Sequence, residues 1–409
     1  MTDGPLRGAL LCMGAVLFLG CQDTRDFALQ EENRDCIDGF REGVDYFPVK
    51  SEREFAHLFE LSYHDSYKRL AVRFPAIDGD TVSAVREIFV LLPCGAPTPP
   101  LEGDLAGAIV VPTPARTVSV TTNEDLGMVV RLGFLDGVRS IGIRAIYPEE
   151  ILDRYRNGVI ADGGGWGSEG PHIETLMDLD PDLILMGVFG GTGDSHAPRL
   201  REVGLHAIPT MIRVEPTPLG RAEWVKVLGA FFHREAEANA LFDQVKDDYL
   251  ELSAMARAQP QRPSAFWAST YAPGEWAGGR NSFQARFLED AGAVNVLADD
   301  GIPAAVRLLP EEVLDLAGDA DFWITENTFL VREGVLTVRG TPAEAIRAFR
   351  GGRTYHLAAR YRAESEASDY NYSGPGRPDL VLRDLVSLFH PELVPGHTLH
   401  YLAPMEALR

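Results

Sequence analysis

A chain of 409 residues with 60 acidic and 38 basic side chains carries a formal charge of −22. That length exceeds what one small core needs and points to two lobes or domains. The acidic balance excludes a nucleic-acid partner, which requires a basic face, and 45% hydrophobic with 24% charged residues describes a soluble globular chain.

The N-terminus holds one apolar run, "GALLCMGAVLFLG", too short to cross a bilayer comfortably. It ends in Phe18-Leu19-Gly20-Cys21, a tetrad that resembles a bacterial lipobox, with a small residue ahead of the cysteine that is lipidated. Arg7 is the only base before the run and Asp3 offsets it, so a plain secretory signal peptide is the competing reading. On either reading residues 1–20 are expected to direct export. Lipidation at Cys21 would anchor the chain to the cell membrane, on its periplasmic or extracellular face. No later segment reaches the roughly 18 apolar residues of a membrane helix. Of the four cysteines, Cys12 lies in the signal and Cys21 takes the lipid. Cys36 and Cys94 remain as an even pair for one disulfide in an oxidising compartment.

Residues 21–45 are polar and acidic and read as a tether. From Tyr46 to about Val111 short apolar runs such as "REIFVLLP" favour strands. The texture then becomes an alternation. "ARTVSVTT", "VRSIGIRA", "VIADGG", "LILMGVF" and "HAIPTMI" read as strands. Between them "NEDLGMVVRLG", "EEILDRYRNG", "HIETLMDLD" and "APRLREVG" read as helices. That rhythm is the mark of a parallel sheet flanked by helices. A long helical stretch follows Pro218, and its second part, Arg234 to Ala256, would span roughly 35 Å at about 1.5 Å per residue. Strand–helix alternation resumes beyond it. The expected fold is α/β with two lobes, each a mostly parallel sheet flanked by helices, joined by one long bridging helix. The expected boundaries are 46–218 for the first lobe, 219–257 for the helical segment and 258–409 for the second lobe.

Several motifs in this order carry a resemblance: "VSVTTNEDLGMVVRLGFLDGV", "HIETLMDLDPDLIL", "TPLGRAEWVKVLGAFFHREAEA", "GGRNSFQARFLEDAGA" and "RPDLVLRDLVSLFHPELVP". Together they are similar to the helix-bridged ABC-importer substrate-binding proteins, the family of siderophore, haem and vitamin B12 receptors. The resemblance covers most of the chain from about Tyr46. It implies a non-enzymatic, monomeric lipoprotein that carries a small-molecule metal chelate to the transmembrane subunits of an ABC permease, with no cofactor and no directly bound metal. An iron–siderophore complex is the expected ligand, with haem or cobalamin as alternatives of the same fold. The family also implies a surface glutamate on each lobe that pairs with permease arginines. Glu174, five residues before Leu179 and seven before Pro181-Asp182, occupies that place in the first lobe; Glu311, five before Leu316, matches more loosely in the second, with Glu312 beside it. Both acids also sit at helix starts, where the helix dipole alone favours a carboxylate by about 0.3–1 kcal/mol.

The cleft of such a fold is lined by loops at the carboxyl ends of strands. The expected ligand contacts are Thr122, Trp166, Phe189 and Arg213 from the first lobe, with Thr121 and Asn123 nearby. From the second they are Tyr271, Trp276, Arg280, Asn327 and Tyr372. Aromatic faces suit flat macrocycles or catecholate rings, and guanidinium groups suit carboxylates or anionic ferric complexes. Trp267 reads as core, and Trp323 as either core or cleft. Trp276 and Arg280, in "EWAGGRNSF", read as a turn facing the cleft. Near the C-terminus the chain has "DYNYSG" where the family often carries Tyr-Trp.

Other constellations are weaker. "GWGSEG" matches G-x-G-x-x-G, but it follows the third strand of its lobe and no ribose-binding acid ends the next one. "GDSH" lacks the strand-turn-helix context of a hydrolase serine. Glu174 and Asp178 share a helix face at i,i+4 and read as solvated. His172 and His196 have no second-lobe histidine before His356 to complete a metal shell. An exported α/β enzyme is the alternative from another class, and no nucleophile–base pair supports it.

Overall fold

The computed structural model describes residues 36–78, 81–165, 170–188, 196–272, 275–280, 282–298, 305–326 and 345–405. Cys21, Trp166, Phe189 and Asn327, together with the Gly-rich and "GDSH" loops that hold residues 166–169 and 193–195, lie outside them.

The strand-rich N-terminal region is a four-stranded sheet, β1 Phe59–His64, β2 Tyr67–Asp78, β3 Thr81–Pro93 and β4 Ile109–Thr113, in that order. The first three strands are antiparallel and β4 joins β3 in parallel. A Cys36–Cys94 disulfide fastens the chain ahead of this sheet to the end of β3. Lys68 of β2, fully buried, ion-pairs with Glu235 and donates to the Ala230 carbonyl at 2.8 Å. Its charge therefore finds a carboxylate and a carbonyl inside the protein, which a buried ammonium requires.

The first lobe proper is a five-stranded parallel sheet of order β7-β6-β5-β8-β9: β5 Val118–Val120, β6 Val138–Ile141, β7 Ala161–Asp162, β8 Leu183–Gly187 and β9 Ala207–Thr210. Alternation along β8 shows why both faces are covered. Leu183 and Leu185 join one core with Val118 and Val120, while Ile184 and Met186 join another with Leu176 and Leu200. Helices α1 Asn123–Arg131, α2 Glu149–Arg156, α3 Ile173–Leu179 and α4 Ala197–Glu202 connect the strands. A parallel sheet buried on two faces reads as the continuous apolar run "LILMG" for this reason.

Helix α5 Pro218–Phe232 begins under a Thr217 cap, whose hydroxyl accepts from Gly220 N at 3.0 Å, and stops where His233 turns left-handed. Helix α6 Glu235–Arg257 follows at once. Its buried stripe, Ala238, Phe242, Val245, Tyr249, Leu252 and Ala256, repeats every three or four residues, the period of one helix face. The first three belong to the first-lobe core and the last three to the second-lobe core. One continuous helix therefore contributes to both lobes. Burial of Phe242 and Tyr249 alone stabilises it by about 3–6 kcal/mol.

The second lobe is a mixed seven-stranded sheet. Its strands are β10 Ser264–Ala272, β11 Glu275–Gly279, β12 Val294–Asn295, β13 Ala305–Leu308, β14 Phe322–Thr325, β15 Thr354–His356 and, after the small hairpin β16 Tyr361–Arg362 and β17 Ala367–Ser368, the edge strand β18 Ala403–Pro404. The central strands β12, β10, β14 and β15 are parallel, and β11, β13 and β18 add antiparallel edges. Helices α7 Phe283–Asp290, α8 Pro310–Ala317, α9 Arg347–Arg350, α10 Asp369–Ser373 and α11 Pro378–Phe389 complete it.

The two lobes share a device. Asp182, just before β8, accepts from Arg116 N, Thr117 N and the Thr117 hydroxyl ahead of β5, all within 2.9 Å. Asp321, just before β14, accepts from Ser264 N at 3.0 Å and from the Ser264 hydroxyl at 2.8 Å at the start of β10. Burial opposes its ionisation, yet these bonds and the charges of Arg347 and Arg353 hold its carboxyl below the usual range. The same clamp thus sets the same strand pair in each half.

Candidate functional site

Thr121 and Thr122 follow β5 and are buried. Thr122 caps α1, accepting from Asp125 N at 3.3 Å and donating to Asp125 Oδ2 at 2.6 Å. Thr121 donates to the Leu185 carbonyl at 3.2 Å and accepts from Gly187 N at 3.0 Å. The Thr121 hydroxyl thus holds the end of β5 against β8, and the Thr122 hydroxyl caps α1. Asp125 is fully buried and also accepts from Thr210 at 3.0 Å. Burial raises its carboxyl to about 7; the two threonine bonds oppose that rise and Glu124 adds to it. Arg213, after β9, is half-exposed and pairs with Glu124 at 2.8 Å.

In the second lobe one expectation is corrected. "EWAGG" is not a turn but strand β11, with Trp276 opposite Thr270. Trp276 is 1% exposed and lies 5.3 Å from Trp323 within the core cluster that contains Phe266 and Leu308. The glycines that looked like turn residues let β11 lie flat: a Cβ at Gly278 would stand 2.9 Å from Leu297 and Leu308. As placed, Trp276 is a core residue. Trp323 is also core, its indole donating to the Ala268 carbonyl at 2.8 Å. Trp267 is buried among Phe283, Phe287 and Tyr370. Arg280 is half-buried at the end of β11, and Asn295 donates to its carbonyl at 3.2 Å. Tyr271 lies in β10. His356 is buried and accepts from Ala358 N at 3.1 Å through Nδ1; burial lowers its pKa to about 4.

Tyr372 lies in α10, and its carbonyl meets α1 of the first lobe: a Cβ on Gly127 would stand 2.0 Å from it. It belongs to a longer inter-lobe strap that sequence reasoning missed. Arg362 donates to the Tyr147 carbonyl at 2.7 Å and pairs with Glu149. Glu364 pairs with Arg156 at 2.5 Å. Arg131, its guanidinium lowered to about 10 by burial and by Arg377, donates to the Gly376 carbonyl. Residues 360–377 thus tie the second lobe to α1 and to the loop after β6.

Sequence reasoning also missed Arg221. Every residue of α5 is buried, Arg221 at 4% exposure. Its Nε donates to the Ile212 carbonyl at 3.0 Å, and its guanidinium carbon lies 3.9 Å from the Phe283 ring centre across the lobe junction. The available signal was a guanidinium placed inside an apolar helical run.

Glu174 and Glu311 stand in the first turns of α3 and α8, both exposed and, among the described residues, without an ion-pair partner. Glu312 is separated from Glu311 by its role: it accepts from Leu309 N at 2.7 Å and caps the helix. Each helix also exposes apolar side chains, Met177 on α3 and Leu316 on α8, with Leu309 at the cap of α8.

Residues 164–361 match the family model described as periplasmic binding protein. Two uncharacterized lipoproteins of Methanocaldococcus jannaschii are each 25% identical, over 62% and 60% of this chain and 58% and 62% of their own length. The matched region thus spans about three fifths of those relatives. Among solved structures, an ABC transporter solute binding protein from Sulfurospirillum deleyianum has a TM-score of 0.52 at 16% identity, covering 71% of this chain and 88% of that one. A periplasmic binding protein from Veillonella parvula has a TM-score of 0.52 at 13% identity, covering 78% and 98%. A periplasmic heme binding protein from Pseudomonas aeruginosa has a TM-score of 0.50 at 16% identity, covering 71% and 98%. At these identities the likeness is one of fold. The chain thus carries a periplasmic binding protein match over residues 164–361, and its bridged two-lobe fold is similar to that of solved binding proteins.

Proposed function

We propose that this protein is a non-enzymatic, extracytoplasmic substrate-binding lipoprotein that takes a metal chelate, an iron–siderophore complex or a related compound, between its lobes and delivers it to an ABC permease. The observation that carries this reading is the equivalence of α3–β8 and α8–β14. Each has an exposed glutamate in the first turn of its helix and, just before its strand, an aspartate that clamps the neighbouring strand, Asp182 on Thr117 and Asp321 on Ser264. On this reading Glu174 and Glu311, each the second residue of its helix, are the matching acids of the two lobes. Each has exposed apolar neighbours, so an acid and an oily contact are paired on each lobe, a combination suited to a protein surface. Lipidation at Cys21 would hold the protein beside its permease.

Reversing both charges, Glu174→Lys with Glu311→Lys, tests the docking role. Uptake in cells should fall to background while chelate affinity of the purified protein stays within about twofold of wild type, because rim charges act on partner encounter. Loss of affinity with the charge reversal, or uptake at the wild-type rate, would contradict it.

A further inference from the structure

The sheet β1–β4 lies outside the region that matches the family model, residues 164–361. Its register sorts its side chains by face, because residues opposite one another in antiparallel strands share a side. Phe59, Leu70, Val72, Phe74, Phe89 and Leu91 face the first-lobe core. Glu60, Ser62 and His64 of β1, Arg69 and Arg73 of β2 and Arg86 of β3 share the other face.

That face is basic, on a chain whose formal charge is −22. Arg73 stands directly opposite Arg86, and like charges so placed destabilise a strand pair. Glu60, the one acid on this face among the described residues of β1–β3, pairs with Arg73 and lies 4.0 Å from Arg69. Arg86 is exposed, and no ion-pair partner for it lies among the described residues. Arg69 Nε is buried without a hydrogen-bond partner among them. Exposed Arg53, on the segment ahead of β1, adds a fourth guanidinium: burial and then the charges of Arg53 and Arg73 lower the pKa of His57. Four guanidinium groups thus surround one carboxylate, and the surplus calls for an external anion.

The source of that anion follows from where the chain leaves the sheet. Cys36 is bonded to Cys94, directly after β3. Cys21, the expected lipid site, is joined to Cys36 by a segment that can extend at most about 50 Å. An anchored chain therefore carries this sheet beside the membrane, while its overall negative charge is repelled by anionic headgroups. A basic face on the tethered sheet is what such a surface attracts.

We propose that this outer face of the N-terminal sheet rests on the anionic headgroups of the membrane that holds the anchor, with Arg53, Arg69, Arg73 and Arg86 toward the lipid phosphates. This rests on the lipid-anchor reading above and adds to it which side of the protein the membrane meets.

The test is hydrogen exchange, read by mass spectrometry, on the lipoprotein isolated from cells. It is mixed with vesicles of phosphatidylcholine alone, or of phosphatidylcholine and phosphatidylglycerol in equal parts. With the anionic vesicles, peptides spanning 53–73 and 86–93 should exchange more slowly by about fivefold, the bias that one guanidinium contributes at such a surface. Peptides of α11 in the second lobe should not change. About 1 M salt, where the Debye length is about 3 Å, should remove the protection from the unaltered protein. Arg73→Glu with Arg86→Glu should remove it at low salt. Faster exchange in α11 would reveal a variant that folds poorly, and the salt comparison stands without the variant. Equal exchange with the two vesicle types, or protection that survives high salt or the charge reversal, overturns this inference and leaves the anchor intact. Flotation with the anionic vesicles alone supports the basic face and overturns the anchor. Flotation with neither overturns both.

Discussion

Gly127 and Tyr372 bring the two lobes together backbone to backbone, across a gap that no side chain could occupy. Gly127 lies inside α1, where glycine costs about 1 kcal/mol relative to alanine, yet a Cβ there would stand 2.0 Å from the Tyr372 carbonyl oxygen. Gly127→Ala should therefore destabilise the protein by about 1–3 kcal/mol, the cost of overpacking, against its gain in helix propensity. Urea unfolding measures this. A variant as stable as wild type would show that the strap yields freely.

Asp125 predicts a pH dependence of stability. The folded carboxyl is raised from 3.8 to about 7, mainly by burial. Between those values the folded state binds more protons than the unfolded chain, so this group's contribution falls as pH rises from about 4 to about 7 and is constant above. Asp125→Asn keeps an acceptor for Thr122 and Thr210 without the charge. Its stability relative to wild type should grow with pH across that window, read from denaturant melts at pH 4, 5.5 and 7.5. A difference independent of pH would remove Asp125 as the cause.

Much of the architecture was legible because it depends on local rules. The parallel strands appear as apolar runs, and α6 shows a stripe of helical period over 23 residues. The site was less legible, because its polar groups are defined by contacts between distant segments. Nothing local in "EWAGG" distinguishes a strand from a glycine turn, and the pairing with β10 and β13 decides it. Glu223 and Lys226 look like the wet face of α5 until the segment before β1 covers them, and Arg221 until Phe283 does. The strap is invisible for the same reason, since Arg362 meets Tyr147 from 215 residues away.

That covering segment supplies another prediction. Glu223, fully buried, accepts from the backbone N–H groups of Glu54, Phe55 and Ala56 at 2.6–2.7 Å, and Glu215 accepts from those of His57 and Leu58. Two carboxylates thus satisfy five successive amides, and Glu223 also neutralises Lys226 at 3.0 Å. Glu223→Ala should cost about 3–5 kcal/mol, as expected when a buried ion pair loses one member. The exposed Glu174→Ala should stay within about 0.5 kcal/mol of wild type. Equal effects at the two positions would contradict this division of roles.

The Cys36–Cys94 bond joins residues 58 apart in sequence. Closing a loop of that size is worth about 4 kcal/mol in the chain-entropy model. Cys36→Ser with Cys94→Ser should lower stability by about 2–5 kcal/mol and make unfolding insensitive to reductant. Wild-type stability that does not change with reductant would refute the contribution.

The central claim is that a metal chelate binds between the lobes. Equilibrium titration of intrinsic tryptophan fluorescence with haem, ferric siderophores and cobalamin tests it most directly. The account predicts saturable quenching by one of these classes, with the same chelate bound by calorimetry. Absence of binding to all of them, in both measurements, would contradict it.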